Sequence, residues 1–145
     1  IDPDDICEIL ASPYVFPGVS DGGAHTKFFT GGAYTTDFLT WLVRDEAVVT
    51  LEEAHYRLSN LPAHAAGFRD RGTLSEGAAA DVLVYDMDTL AVQSPEIAYD
   101  LPGNDWRRIQ RAYGYRWTIV NGHISLEDGQ PTGYLAGKLL RHGKG

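Results

Sequence analysis

Six consecutive residues, Ser20-Asp21-Gly22-Gly23-Ala24-His25, place a carboxylate and an imidazole in a glycine-rich segment. The segment follows residues 14–19, an apolar and β-rich run that predicts a buried strand. An aspartate at the point where a strand gives way to such a loop can face an open cavity, and the glycines let backbone or substrate approach closely. In parallel α/β proteins, chemistry is usually placed at this end of a strand. Asp and Gly are also ordinary turn residues, so a turn-forming Asp21 is the alternative.

The composition excludes several classes of partner. The chain has 145 residues, of which 43% are hydrophobic and 11% aromatic, as in a folded domain. A net charge of −8 argues against a nucleic-acid partner or an anionic membrane surface. No apolar run approaches the roughly 20 residues of a membrane span, and the acidic start of the chain is unlike a secretory signal. Cys7 is the only cysteine, which fits a reducing compartment, and we expect a cytoplasmic location.

The first half of the chain predicts helices. Asp2 is a good N-cap for a first helix that ends near Pro13. Residues 27–36 predict a loop and residues 37–49 a helix. Thr50 opens a capping box, and the helix that follows it predicts inward positions for Leu51, Ala54 and Leu58. A further short helix, opened by residues 59–62, should end at Gly67.

The second half predicts β-structure. Residues 80–85 and 116–120 predict strands, and Asn121-Gly122 predicts a tight hairpin into residues 123–127. Residues 90–105 show no clean period and predict mostly irregular structure. Residues 138–141 predict a last short strand.

The order of these motifs resembles the C-terminal part of the amidohydrolase superfamily, closest to its N-acyl-D-amino-acid deacylase (D-aminoacylase) branch. The resemblance covers the chain from Asp2 to Arg141. The motifs that carry it are S-D-G-G-A-H, L-E-E-A, S-N-L-P-A, D-R-G-T-L-S-E-G-A-A-A-D-V-L-V-Y-D, T-I-V-N-G and E-D-G-Q-P-T-G.

The resemblance implies an α/β fragment: the last strand and helices of a (β/α)8 barrel, followed by part of a small β-sandwich. Residues 1–68 would be the C-terminal end of the metal-dependent hydrolase barrel, and residues 69–145 would belong to the sandwich. The implied enzyme hydrolyses non-peptide C–N bonds, with N-acyl-D-amino acids or related amides as small-molecule substrates. The acyl group, the amino acid and the choice between a linear and a cyclic amide stay open.

The resemblance also implies roles for the glycine-rich segment. Asp21 would be the catalytic proton shuttle, with a possible weak metal contact. Gly22, Gly23 and His25 would lie where substrate binds. For His25 a structural hydrogen bond at the rim of the barrel is the alternative.

The chain departs from the family pattern because the motifs that supply most of the metal ligands are absent. None of the five histidines has H-x-H or i,i+4 ligand spacing with another. We therefore expect zinc in a full-length parent, with the number of ions open, and none in this chain, which alone should be inactive. We also expect it to associate with the remainder of the parent or to form a homo-oligomer. The alternative from another class is a non-catalytic β-rich interaction module that keeps the last barrel strand only for packing.

Overall fold

The computed structural model describes residues 2–18, 20, 23 and 25–143. Its first half is helical and its second half is made of short antiparallel strands. Helix α1 spans Pro3–Leu10, and the Asp2 carboxylate accepts a hydrogen bond of 3.0 Å from the Asp4 N–H, as an N-cap should. In the part of the chain described, no helix is long and apolar enough to cross a bilayer.

The strand expected over residues 14–19 is not formed over residues 14–18, which are the part of it that the structure describes. Tyr14 lies in a turn and residues 15–18 have no regular structure, while Val19 lies outside the described residues. A strand requires a neighbour for its backbone groups, and the described residues place none beside this segment. The Val15 carbonyl instead accepts a hydrogen bond from the guanidinium of Arg57.

The long central helix begins earlier and ends earlier than its sequence pattern predicts. Helix α2 spans Tyr34–Asp37 and continues as a π-helix over Phe38–Asp45. The predicted loop over residues 27–36 is therefore helical in its last residues. The predicted extension to residue 49 is wrong because Ala47 adopts a φ of 52°, which ends the helix.

A second helical stretch runs without a break from residue 51 to residue 65. It consists of α3 (Leu51–His55), a π-helical segment (Tyr56–Asn60) and α4 (Leu61–Ala65). The Thr50 hydroxyl accepts from the Glu53 N–H at 3.2 Å, which confirms half of the capping box. The expected burial of Leu51 is wrong, because its side chain is exposed on the first turn, whereas Ala54 is fully buried.

The main sheet is antiparallel, with the strand order β1-β6-β7-β8. Its strands are β1 (Val82–Tyr85), β6 (Tyr115–Val120), β7 (His123–Glu127) and β8 (Gln130–Pro131). The Asn121-Gly122 turn joins β6 to β7, with φ of 46° and 81° at its two residues, so the predicted hairpin is confirmed.

The prediction of mostly irregular structure over residues 90–105 is wrong, because residues 90–109 hold three strands. They contain β2 (Ala91–Val92), which pairs with β5 (Ala112–Tyr113), and a hairpin of β3 (Glu96–Leu101) and β4 (Asp105–Ile109). The turn of this hairpin is Pro102-Gly103-Asn104, in which Gly103 has a φ of 76°. Pro followed by Gly is a turn signal, and the irregular spacing of apolar residues obscured it.

The strand expected over residues 138–141 does not form. This part of the tail crosses back toward the helices, where His142 Nδ1 is hydrogen-bonded to the Ala66 carbonyl at 3.0 Å. The backbone N–H of Gly143 also donates to the Gly67 carbonyl at 3.2 Å. Residues 138–141 themselves have no regular structure.

The core lies between the two halves of the chain. Its buried apolar side chains are Phe38, Leu39, Leu42, Ala54 and Leu90. Four of these come from the helices, and Leu90 precedes the short strand β2. The helical half and the strand half therefore share one core.

Candidate functional site

Ser20, the first residue of the glycine-rich segment, lies against Gly31. A Cβ atom built on Gly31 would overlap the carbonyl oxygen of Ser20, so the two backbones are in direct contact. Only glycine can occupy position 31 without displacing the Ser20 peptide. Ser20 and Gly31 therefore lie side by side although eleven positions separate them in the sequence, and Asp21 is the residue after Ser20.

Asp21 and Gly22 lie outside the described residues, so the roles predicted for them remain predictions. Gly23 is exposed, and a Cβ atom built on it would meet nothing within 4 Å. The roles predicted for Gly23 and His25 in substrate binding also remain predictions.

His25 begins a tight turn on the exposed side of the loop. Its carbonyl accepts hydrogen bonds from the backbone N–H groups of Phe28, at 2.8 Å, and Phe29, at 3.2 Å. The imidazole stacks on the Phe29 ring with centroids 5.6 Å apart and meets the Phe28 ring edge-on at 6.2 Å. Both phenylalanines are exposed, so this part of the loop presents an aromatic surface.

The β3–β4 hairpin contacts the same loop from the other side. Lys27 Nζ donates to the Asp105 carboxylate at 2.6 Å and lies 5.4 Å from the centre of the Trp106 ring. This hydrogen bond holds the pKa of the Asp105 carboxyl below its usual value. The Arg108 backbone N–H donates to the Thr26 carbonyl at 2.7 Å. The loop is thus held by residues about eighty positions away in the sequence.

The entry to the loop is fixed by one buried arginine. Arg57 donates to the carbonyl of Leu10 at 2.7 Å, to that of Ser12 at 3.1 Å and to that of Val15. Glu53 accepts from its Nε at 2.6 Å. Arg57 thereby provides hydrogen bonds and a positive charge at the C-terminal end of α1, which has no basic side chain in its own last turn.

The described residues do not make a metal site by themselves. Within residues 2–18, 20, 23 and 25–143, no three His, Cys, Asp or Glu side chains are grouped so that they could hold an ion. His55 is hydrogen-bonded to Tyr85, His123 stacks on Tyr134 at 4.3 Å, and His142 is bonded to a carbonyl. A tetrahedral zinc site needs at least three protein ligands, so these residues alone do not complete one.

A cavity of about 850 Å³ lies between the helices and the main sheet. His55 Nε2 and the Tyr85 hydroxyl are 2.6 Å apart at its wall, and the Tyr115 hydroxyl is hydrogen-bonded to Thr36 at 2.8 Å. Burial lowers the pKa of His55 and raises the pKa values of the two tyrosines. These groups bond to each other, which favours a structural role in joining the two layers.

Sequence reasoning missed Gly31, Arg57, Asp105 and Arg108. The contacts of Asp105 and Arg108 with the loop span 78 to 82 positions of the sequence, and no local pattern encodes such pairs. The one available signal was the Pro102-Gly103 turn, which predicts that residues 96–109 fold back on themselves.

Comparison with known proteins identifies the family of this chain. A model of the amidohydrolase family matches residues 4–126, so the chain belongs to the amidohydrolase family. Within that family its similarities support the D-aminoacylase branch.

Three relatives show the extent of the similarity. The N-acyl-D-glutamate deacylase of Alcaligenes xylosoxydans xylosoxydans is 33% identical over 122 residues, which are 84% of this chain and 22% of the relative. The N-acyl-D-aspartate deacylase of the same organism is 29% identical over 140 residues, 92% of this chain and 25% of the relative. A dihydroorotase of Lactobacillus acidophilus is 31% identical over 108 residues, 74% of this chain and 24% of the relative. The chain therefore spans a quarter or less of these relatives.

Solved structures of D-aminoacylase are also similar to this chain. One that defines a novel subset of amidohydrolases matches with a TM-score of 0.60 and 30% identity, over 74% of this chain and 21% of that one. A D-aminoacylase mutant in complex with CuCl2 and a structure concerned with a binuclear metal centre match equally well.

Proposed function

We propose that this chain is the C-terminal part of a metal-dependent amidohydrolase that cleaves N-acyl-D-amino acids. The family match over residues 4–126 carries the proposal, and the two Alcaligenes deacylases supply the substrate class. On this proposal residues 1–68 complete a (β/α)8 barrel and residues 69–145 form part of a small β-sandwich.

The contribution of this chain to hydrolysis is a carboxylate. Asp21 accepts a proton from the attacking water and delivers it to the leaving nitrogen. An aspartate suits this role because its ordinary pKa of about 3.9 keeps it ionised at neutral pH. The resemblance of residues 20–25 to a motif of the family supports the assignment. His25 and the glycines beside Asp21 border the substrate.

The metal of the proposed parent is zinc, whose chemistry is to activate water and polarise the carbonyl. Asp21 is the one predicted contact from this chain. The other ligands of the zinc come from residues outside these 145. We further propose that the chain functions together with the remainder of the parent, or as a homo-oligomer, because large apolar side chains are left exposed on both halves. Examples are Leu51, Tyr56, Leu83 and Trp117.

The assay that tests this function uses the full-length protein that contains this chain. N-acetyl-D-glutamate, N-acetyl-D-aspartate and N-acetyl-D-leucine are compared with their L-enantiomers by release of free amino acid. We expect turnover of at least one D-substrate and a strong preference for it over its enantiomer.

Two other outcomes have distinct meanings. Ring opening of dihydroorotate without deacylation would make the substrate a cyclic amide, which the Lactobacillus dihydroorotase match favours. No turnover of either class by metal-loaded protein would contradict the proposal and favour a non-catalytic interaction module.

A further inference from the structure

The last described residues of the chain run from the strand half back to the helical half. Strand β8 ends at Pro131, and the segment after it returns to the end of α4. The covalent connection from α4 to β1, residues 66–81, joins the same two halves in the opposite direction. We call residues 134–143 the C-terminal strap.

The strap is anchored on the main sheet by the turn between β6 and β7. Asn121 Nδ2 donates to the Ala136 carbonyl at 2.8 Å, and the Tyr134 ring stacks on His123 with centroids 4.3 Å apart. The same turn is bonded to the start of β1, because the Asn121 N–H donates to Asp81 Oδ1 at 2.8 Å. One end of the strap therefore lies beside the point where the covalent connection enters the sheet.

The other end of the strap is anchored where the covalent connection leaves α4. His142 Nδ1 is hydrogen-bonded to the Ala66 carbonyl at 3.0 Å, and the Gly143 N–H donates to the Gly67 carbonyl at 3.2 Å. A Cβ atom built on Gly67 would overlap the His142 ring, so this ring lies directly on the glycine. The strap and the covalent connection thus join the same two places.

Between its anchors the strap has little other support. Residues 137–141 have no regular structure and are all exposed, with 81% of Leu139 accessible. The six steps from Ala136 to His142 can span up to roughly 20 Å of extended chain. Because neither a sheet nor the core holds this stretch, its position depends on the anchors at its two ends.

We propose that the C-terminal strap ties the end of α4 to the start of β1 and so fixes the helical half against the strand half. A second link between the same two places closes a ring of chain and restricts the relative movement of what it joins. The inference is independent of the proposed function, because no residue of the strap is assigned a part in hydrolysis.

The anchor on the sheet can be released with a matched control. Asn121→Gly removes the side-chain amide that holds Ala136 and keeps the backbone bond to Asp81. Asp128→Gly removes the equivalent side chain from the next turn of the sheet, which has no bond to the strap. Asn121 and Asp128 both have a φ of 46° and both precede a glycine, so glycine fits either turn.

The anchor on α4 has its own matched control. Gly67→Ala places a methyl group against His142, whereas Gly77→Ala places one in open space. The two glycines have φ values of 76° and 85°, so both variants carry similar backbone strain. His142→Ala releases the same anchor without any strain at Gly67.

The first measurement is limited proteolysis of the full-length protein by trypsin, with the released peptides identified by mass. Lys138 and Arg141 lie between the anchors, and a protease cuts faster where the chain opens more often. We expect Asn121→Gly to speed cleavage after Lys138, and Gly67→Ala and His142→Ala to speed cleavage after Arg141, by about 3- to 10-fold. The two control variants should stay within about twofold of wild type.

The second measurement tests the tie between the halves by hydrogen exchange at the end of the link that was not mutated. The Gly122 amide donates to the Ala80 carbonyl at 2.9 Å, and the Phe68 amide donates to the Ala63 carbonyl at 2.9 Å. Gly67→Ala should speed exchange at Gly122, and Asn121→Gly should speed exchange at Phe68, each by about twofold or more.

Three results would overturn the proposal. Unchanged cleavage in all three release variants would show that these anchors do not seat the strap. Equal cleavage in each variant and its control would show that turn or backbone strain causes the effect. Faster cleavage with unchanged exchange at the distant amide would show that the segment is a surface tail that does not tie the two halves.

Discussion

At the scale of single residues, the sequence predicts those features that depend on near neighbours in the chain. Asp2 and Thr50 cap their helices through bonds that span two and three residues, so residue type and position suffice to predict them. Gly31 is different, because its requirement for glycine comes from the Ser20 carbonyl eleven positions earlier. The sequence Gly31-Gly32 does not indicate which of the two glycines contacts another backbone segment.

The two neighbouring glycines therefore provide a direct test. Gly31→Ala forces its new methyl group against the Ser20 backbone, which should cost about 1–3 kcal/mol and lower activity by displacing the start of the Asp21 loop. Gly32→Ala places its methyl group in open space and should be neutral or slightly stabilising. Thermal unfolding and specific activity of the two variants of the full-length protein check this expectation. Two variants that behave alike would contradict it.

At the scale of elements, Arg57 joins pieces that are distant in the chain. Arginine side chains are mostly exposed in folded proteins, yet only 5% of Arg57 is exposed. Its burial is compensated by four hydrogen-bond partners, three of which are carbonyls of residues 10–15. The end of α1 and the segment that leads toward Ser20 therefore depend on a side chain from another helix.

Replacing this arginine by lysine tests the arrangement. Lysine keeps the charge but has a single nitrogen and cannot bond all four partners, so Arg57→Lys should lower the free energy of unfolding by about 1–3 kcal/mol. Arg116→Lys is the control, because Arg116 is 59% exposed and pairs with the exposed turn residue Asp128. It should change stability by less than about 0.5 kcal/mol. Urea unfolding of the full-length variants measures both, and equal midpoints would refute the role of Arg57.

At the scale of the whole molecule, the predictable parts are those stabilised by local pairing. The β6–β7 hairpin follows from Asn121-Gly122, because the turn sets the register of both strands. The strand expected over residues 14–19 does not form over its described residues, 14–18, because a parallel strand is stabilised by neighbours that no local pattern supplies. The β3–β4 hairpin and the shared core around Leu90 likewise depend on contacts between halves of the chain.

The candidate site combines both kinds of information. Its proposed position comes from the sequence, since Ser20-Asp21-Gly22-Gly23 resembles a motif of the family. Its supports were not predictable, since Arg57, Gly31 and Asp105 act from other elements. The segment proposed to carry the site is thus preceded by residues that Arg57 contacts and followed by residues that the β3–β4 hairpin contacts.

The central claim is that Asp21 moves the proton in amide hydrolysis, and Asp21→Asn in the full-length protein tests it most directly. Asparagine keeps the shape of the side chain but cannot accept the proton at neutral pH, so kcat should fall by about 10²- to 10⁴-fold while most of the bound metal is retained. Asp128→Asn, on an exposed turn of the main sheet, should keep wild-type activity. An Asp21→Asn enzyme within a few-fold of wild type would contradict the claim.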